Sequence, residues 1–252
     1  MIFPGAASLD LVLGGRAVSW WLLAEKAVFI PSDQTLLVSD LHLGKAGHFR
    51  RHGIAIPRDS NLENLARLTR LMDGLKPHHL LLLGDLFHSD LNPEWDVFVD
   101  WLDEERQRLP SLQVTLVLGN HDTGIPLDAL SAAGISYVSS LHWSDGIVFS
   151  HAPEDPIPPG TSLHVCGHWH PGVRLRGGGR QSLRLPCYFL TEMRTGTEGE
   201  LRSQTGTGSG TGAGTGWRLV LPAFGSFTGL HTVTPRKSDR IFVIAEDQVL
   251  PL

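Results

Sequence analysis

The sequence predicts an α/β fold, and three observations carry that reading. Five apolar runs, LLVSD, LLLLGD, VTLVLGN, IVFSH and SLHVCGHWH, end at Asp40, Asp85, Asn120, His151 and His170. None alternates between apolar and polar residues, which suits strands buried on both faces of a sheet covered by helices. Amphipathic segments lie between the early runs, giving the strand–helix–strand order of an α/β layer architecture. Past His151 the helical periodicity fades, so the C-terminal third should be mostly β and supply a second sheet packed on the first.

The elements follow in order. The first forty residues read as short strands, two of them joined at a Gly14-Gly15 turn. A first helix is predicted from about Ser60 to Asp73. Ser60 and Glu63 have capping-box spacing, and Leu62, Leu65, Leu68 and Met72 form its apolar face. A second begins at Asn92-Pro93, turns Trp95, Phe98, Leu102 and Leu109 inward and stops at Pro110. A shorter helix covers Leu127 to Ala133, with Gly134 as its stop. GVRLRGGGRQSLRLP reads as a hairpin around a glycine turn, and LVLPAFGSF and RIFVIAE read as further strands. Residues 195–216, TGTEGELRSQTGTGSGTGAGTG, offer almost nothing apolar to bury and are expected to form a flexible surface loop between two strands.

Composition narrows the function. The chain has 252 residues, 41% of them hydrophobic and 19% charged, which is ordinary for a soluble globular protein. A net charge of −5 argues against coating nucleic acid through overall positive charge, so any attraction for phosphate must be local. Two cysteines, Cys166 and Cys187, are too few for a disulfide framework and suit a reducing compartment. Asp10, Arg16, Glu25 and Lys26 interrupt the N-terminal apolar stretches, which then read as neither signal peptide nor membrane span. The expectation is a cytoplasmic protein with residues 1–252 forming one domain.

Ligand sites in open α/β sheets form just outside the carboxyl ends of the strands. Five runs here end in Asp40 and His42, Asp85, Asn120 and His121, His151, and His168 and His170. A lone buried histidine is more often a satisfied core residue, and a lone GD or GN is usually a turn. Five such endings on consecutive strands are not coincidence. Residues two apart on a strand share a face, so Asp40 with His42, and His168 with His170, should each point at one pocket. The donors are nitrogen and oxygen without thiolate, which suits Mn, Fe or Zn, and seven donors exceed one tetrahedral site. Two ions are therefore expected, with Asp85 placed to bridge them.

DLH (40–42), GD (84–85), GNHD (119–122), His151 and GHWH (167–170) resemble, in order and spacing, the signature of the calcineurin-like metallophosphoesterases. The strings DLHLGKAGHFRRHG, GDLFHSD, LPCYF and LPAFGSFTG further resemble a bacterial branch described as a ligase-associated DNA-damage-response phosphoesterase. The resemblance implies a four-layer α/β/β/α sandwich of two mixed sheets flanked by helices. It implies a first ion, most simply Mn with Fe or Zn as alternatives, held by Asp40, His42, Asp85 and His170. A second would be held by Asp85, Asn120, His151 and His168. It also implies partners, an ATP-dependent DNA ligase and a DEXH-box helicase.

The expected chemistry is hydrolysis of a phosphodiester, in DNA, RNA or a nucleotide, by a hydroxide bridging the two ions. His121 would protonate the leaving oxygen, and Asp122 would either orient His121 or merely cap the turn. Lys45, His48, Arg50, Arg51 and Arg58 form a basic run after the first metal pair that can steer phosphate inward, His48 and Arg51 first among them. His88 lies in a GDLFH string shared with double-strand-break repair nucleases of the superfamily, where the histidine lines the site. Here it either contacts substrate or is an ordinary loop residue. Two other readings compete: a phosphomonoesterase or nucleotide pyrophosphatase of the same superfamily, and a non-catalytic scaffold. The second is disfavoured because every ligand and His121 are present.

Overall fold

A computed structural model describes residues 2–45, 60–87, 93–179, 181–195, 214–226 and 228–252. The first sheet opens with an antiparallel meander of β1 (Ala7–Leu13), β2 (Arg16–Leu22), β3 (Val28–Ile30) and β4 (Thr35–Ser39). β4 then continues in parallel with β5 (His79–Leu83), β6 (Gln113–Val117) and β7 (Ser136–Val138). The crossovers are made by α1 (Ser60–Leu75), α2 (Pro93–Arg108) and α3 (Leu127–Ala132). The second sheet contains β8 (Leu141–Trp143), β9 (Ile147–Phe149), β10 (Leu163–Cys166), β11 (Pro171–Arg176) and β12 (Ser182–Thr195). It is completed by β13 (Gly214–Val220), β14 (His231–Thr232), β15 (Arg240–Ala245) and β16 (Gln248–Pro251). Both sheets are mixed, because β10 runs parallel to β9 and β13 while the β11–β12 hairpin is antiparallel.

The apolar runs without alternation have the expected cause. Leu36, Val38, Leu80, Leu82, Val114 and Leu116 pack with Leu65, Leu68 and Met72 of α1 and Phe98 and Leu102 of α2. The intervening Leu37, Leu81, Leu83 and Val117 face the other way, against Phe149, Leu163, Val165 and Leu219 of the second sheet. Both faces of β4–β6 are thus buried, helices on one side and sheet on the other. Every described helix lies on the first sheet, and the outer face of the second carries an apolar layer of its own around Val173, Phe189 and Val243. The result is an α/β arrangement of two packed mixed sheets.

Two sequence expectations need correction here. Leu62 is 54% exposed, and Leu71, at 1%, takes its place on the buried face of α1. The wider stripe Leu65, Leu68, Leu71, Met72 is what a 3.6-residue period requires. LVLPAFGSF is not one strand, since β13 ends at Val220 and residues 221–226 form an irregular segment. Residues 196–213, most of the low-complexity stretch, lie outside the described residues. Its flanks pair across β12 and β13, Thr195 opposite Gly214.

Candidate metal centre

β4, β5 and β6 of the first sheet and β9 and β10 of the second all deliver their carboxyl ends to one place. The candidate ligands sit just past those ends, not on the strands. Asp40, His42, Asp85, His168 and His170 have φ of +54°, +48°, +50°, +66° and +50°. Strand alternation therefore does not bring the pairs together, as the two-residue spacing suggested; left-handed turns do. Such backbone costs a non-glycine residue on the order of 1–3 kcal/mol and persists only where its surroundings enforce it. Neighbouring loops enforce it: Asp40 N–H donates to Gly84 O at 3.2 Å, His42 N–H to Asp85 O at 2.9 Å, and Leu43 N–H to Leu86 O at 2.9 Å.

The glycines before the ligands are where one loop meets a ligand of another. A Cβ on Gly84 would fall 2.1 Å from His151 Nδ1, one on Gly119 2.5 Å from Asp85 Oδ1, and one on Gly167 2.3 Å from Asp40 Oδ2. GD, GN and GH thus carry a packing requirement as well as ligands.

Two donor clusters result, Asp40 with His42 and His170, and Asp85 with His151 and His168. In the first, Asp40 Oδ1 lies 3.2 Å from His170 Nε2 and 4.0 Å from His42 Nε2. Asp40 Oδ2 accepts from His168 N–H at 3.0 Å, whereas Oδ1 and His170 Nε2 have no hydrogen-bond partner among the described residues. A buried carboxylate oxygen left so is costly, and a cation between it and the imidazoles removes the cost. In the second cluster, His151 Nδ1 is 3.2 Å from Leu83 O, an acceptor only, so Nδ1 carries the proton and Nε2 faces inward with its lone pair. That Nε2 lies 3.0 Å from Asn120 Oδ1, 3.0 Å from His168 Nδ1 and 3.4 Å from Asp85 Oδ1. Four electron-rich atoms converge there, more than one N–H could serve. Asp85 spans both clusters, its Oδ2 lying 3.8 Å from His42 Nε2. Nitrogen and hard oxygen donors in this number fit two borderline divalent cations.

The electrostatics follow the same layout. Burial lowers His42 to about 3, with Lys45 adding to it against Asp40 and Asp85. Burial also opposes a charged His151, but the Asp85 hydrogen bond and the charges of Asp40 and Asp85 prevail and raise it to about 9. Asp85 is lowered to about 2 in spite of burial, by His151, His121 N–H and His42. A proton on His151 Nε2 would pair with Asp85, and a cation bound there takes that proton's place.

His121 is exposed at the rim. Its backbone N–H donates to Asp85 Oδ1 at 3.0 Å, and its ring stands edge-on to His42 with centroids 5.6 Å apart. The Asp122 carboxylate is engaged by two backbone amides. One Asp122 oxygen accepts from Leu86 N–H at 2.9 Å and the other from Gly119 N–H at 2.8 Å. Of the two roles open in the sequence, the carboxylate has the structural one, tying the loop after β5 to the loop after β6. Burial raises its pKa, with Asp85 contributing, against those two amides. Lys45 is half-buried where Asp40 and Asp85 both act on it, and burial lowers its pKa. His48, Arg50, Arg51, Arg58 and His88 lie outside the described residues.

His164 carried no signal in the sequence, yet it supports the centre from behind. Arg218 Nε–H donates to His164 Nδ1 at 2.9 Å, so His164 Nε2–H donates to Ser150 Oγ at 2.8 Å. The Ser150 hydroxyl in turn donates to Ala152 O at 3.2 Å. His151 is thereby flanked by two residues of one buried relay. Only three-dimensional pairing of β10 with β13 reveals it, since Arg218 is 54 residues from His164.

Two packed mixed sheets whose strand ends present this donor set are those of a metal-dependent phosphoesterase. The family is equally definite. The model for calcineurin-like phosphoesterases matches residues 34–172, more than half of the chain, and the protein belongs to that family, whose members use divalent metals. No curated protein matches. Among solved structures, the chain is similar to the Pseudomonas putida nuclease MPE, at 29% identity and a TM-score of 0.67, over 98% of this chain and 100% of that one. It also matches YfcE, a phosphoesterase from E. coli, at 19% identity and a TM-score of 0.33, over 57% of this chain and 74% of that one.

Proposed function

We propose that the protein is a dinuclear phosphodiesterase acting on nucleic-acid or nucleotide phosphodiesters. The observation that carries this reading is the Asp85 carboxylate shared between two donor clusters, Oδ2 toward His42 and Oδ1 toward His151. Asp40, His42 and His170 with Asp85 would hold one ion; Asp85, Asn120, His151 and His168 would hold the other. When bound, the pair supplies Lewis-acid charge at the phosphoryl group and makes a nucleophile of water at neutral pH. The chain's own groups do the rest. The buried carboxylates and the Leu83-oriented His151 fix where the ions sit. His121 stands exposed beside the centre, and an imidazole there has the chemistry to hold the proton that the leaving oxygen needs. Lys45 adds positive charge beside Asp40 and Asp85 that favours an anionic substrate.

The choice of a diester over a monoester is supported by similarity along its whole length to a protein described as a nuclease. Mn is the proposed native metal. We extend the proposal to phosphate contacts by His48, Arg50, Arg51 and His88. It extends also to one domain over residues 1–252, and to a cytoplasmic DNA-repair setting beside an ATP-dependent DNA ligase and a DEXH helicase. The described residues include no helix long and apolar enough to cross a membrane.

The test is a metal-by-substrate matrix on purified protein. Mn, Fe, Zn and Mg are set against bis-p-nitrophenyl phosphate, p-nitrophenyl phosphate, single-stranded DNA and 2′,3′-cyclic nucleotides. Mn-dependent cleavage of the diester should exceed that of the monoester, and the reverse order would replace this reading with a phosphomonoesterase.

A further inference from the structure

Asp40 has both backbone and side chain under constraint, and part of the constraint comes from far along the chain. Residues 222–226 run beside the end of β4. Phe224 N–H donates to Ser39 O at 2.8 Å, Gly225 N–H donates to Asp40 O at 3.0 Å, and Ser39 Oγ–H donates to Pro222 O at 3.3 Å. The fit is close, for a Cβ on Gly225 would lie 2.3 Å from Leu41 O and 3.0 Å from Asp40 O. This segment is not part of a strand, so something else must hold it against Asp40.

Helix α1 holds it, through two side chains. Asn64, only 3% exposed, accepts three hydrogen bonds at Oδ1: from Ser226 N–H at 3.2 Å, from Ser226 Oγ–H at 2.8 Å and from Arg67 Nη2 at 3.3 Å. The same Arg67 Nη2 donates to Phe224 O, and the guanidinium carbon stands 4.2 Å from the centre of the Phe224 ring. Phe224 is fully buried in the core shared by α1 and the first sheet, which prevents the segment from swinging away. The path is continuous: α1 holds residues 224–226, and the amides of 224 and 225 hold the carbonyls of Ser39 and Asp40.

We propose that Asn64 and Arg67 are positioning residues of the metal centre, acting through residues 222–226 to keep Asp40 in the left-handed turn that aims its carboxylate at His42 and His170. Neither side chain touches a ligand donor atom among the hydrogen bonds given above; both act one layer removed. The inference rests on the metal-centre reading of the preceding subsection and adds to it a support drawn from α1. Loss of an outer group that orients a ligand weakens metal affinity by roughly 10–100-fold.

The variants are Asn64→Ala, Asn64→Asp and Arg67→Met in the full chain. Asn64→Asp keeps an oxygen acceptor for Ser226 and for Arg67, while the other two break the clamp. Calorimetric titration with Mn2+ and hydrogen exchange of the Phe224 and Gly225 amides are read together with melting temperature. Asn64→Ala and Arg67→Met should speed exchange at both amides and weaken Mn2+ binding by about 10-fold or more, and Asn64→Asp should stay near wild type. Wild-type Mn2+ affinity in Asn64→Ala, even with a lowered melting temperature, would make the clamp merely structural and overturn the inference alone. Equal loss in Asn64→Asp and Asn64→Ala would also overturn it. A wild-type chain that binds no Mn2+ would overturn the metal-centre reading itself.

Discussion

Gly167→Ala isolates close packing around a ligand from every other effect. No positive φ is involved at this position, so an added methyl introduces contact and not backbone strain. Its carbon would lie 2.3 Å from Asp40 Oδ2, 2.7 Å from Ser39 Cβ and 2.9 Å from Ser39 Oγ. Relief requires the β10 loop to retreat from Asp40, which breaks the 3.0 Å hydrogen bond from His168 N–H to Asp40 Oδ2. Overpacking of this kind costs about 1–3 kcal/mol, and a hydrogen bond to a charged group is worth about 1.5–3 kcal/mol. Because His168 and Asp40 belong to different clusters, both ions should be affected. Mn2+ affinity is expected to fall by about 10–100-fold, and the melting temperature by about 2–4 °C per kcal/mol lost. Gly178→Ala is the control, since its Cβ meets nothing within 4 Å; its effect should stay within about 0.5 kcal/mol. Calorimetric Mn2+ titration of both variants decides the matter, and wild-type affinity in Gly167→Ala would refute the packing argument.

Three further outcomes are expected. His121→Ala should lower Mn-dependent cleavage of DNA or an alkyl diester by about 10²–10⁴-fold. It should matter far less for p-nitrophenyl esters, whose leaving group needs no proton; equal losses on both would remove His121 as the acid. Asp122→Asn should lower the melting temperature by the equivalent of about 1–3 kcal/mol, because an amide cannot accept from both Leu86 and Gly119. The pH profile of turnover should stay in place, and a displaced profile would restore the Asp122–His121 pairing. His164 is lowered from 6.5 to about 3, by burial first and Arg218 second, so below pH 6.5 the unfolded chain takes up a proton that the folded chain refuses. The His164 contribution to stability should therefore be full above pH 6.5 and be lost at about 1.4 kcal/mol per pH unit below it, and thermal melts of His164→Gln should show a slope on the acid side shallower than wild type by about that amount.

The strand ends were legible because burial on both faces leaves uninterrupted apolar runs, and because each run stops at a residue type that a core would not otherwise tolerate. Asp40, Asp85 and His151 stood out in this way. Less legible was how these residues converge, since left-handed turns at non-glycine residues leave no periodic trace and arise from hydrogen bonds between loops. Leu62 was misplaced by a stripe read one position too narrow, and the role of Asp122 stayed open because GNHD sets it beside His121 in sequence while its oxygens reach back to Gly119 and across to Leu86. His164, Asn64 and Arg67 were invisible for a common reason. Their partners, Arg218, Ser226 and Phe224, lie 54, 162 and 157 residues away and become neighbours only through folding.

The central claim is that two cations, joined through Asp85, are needed for turnover. Metal-stripped protein loaded stepwise with Mn2+, with bound metal measured by elemental analysis and bis-p-nitrophenyl phosphate hydrolysis followed in parallel, tests it most directly. Activity should rise only as the second ion per chain is bound, and Asp85→Asn should lose both metal and turnover. Full activity with one ion per chain, or in excess chelator, would contradict the account.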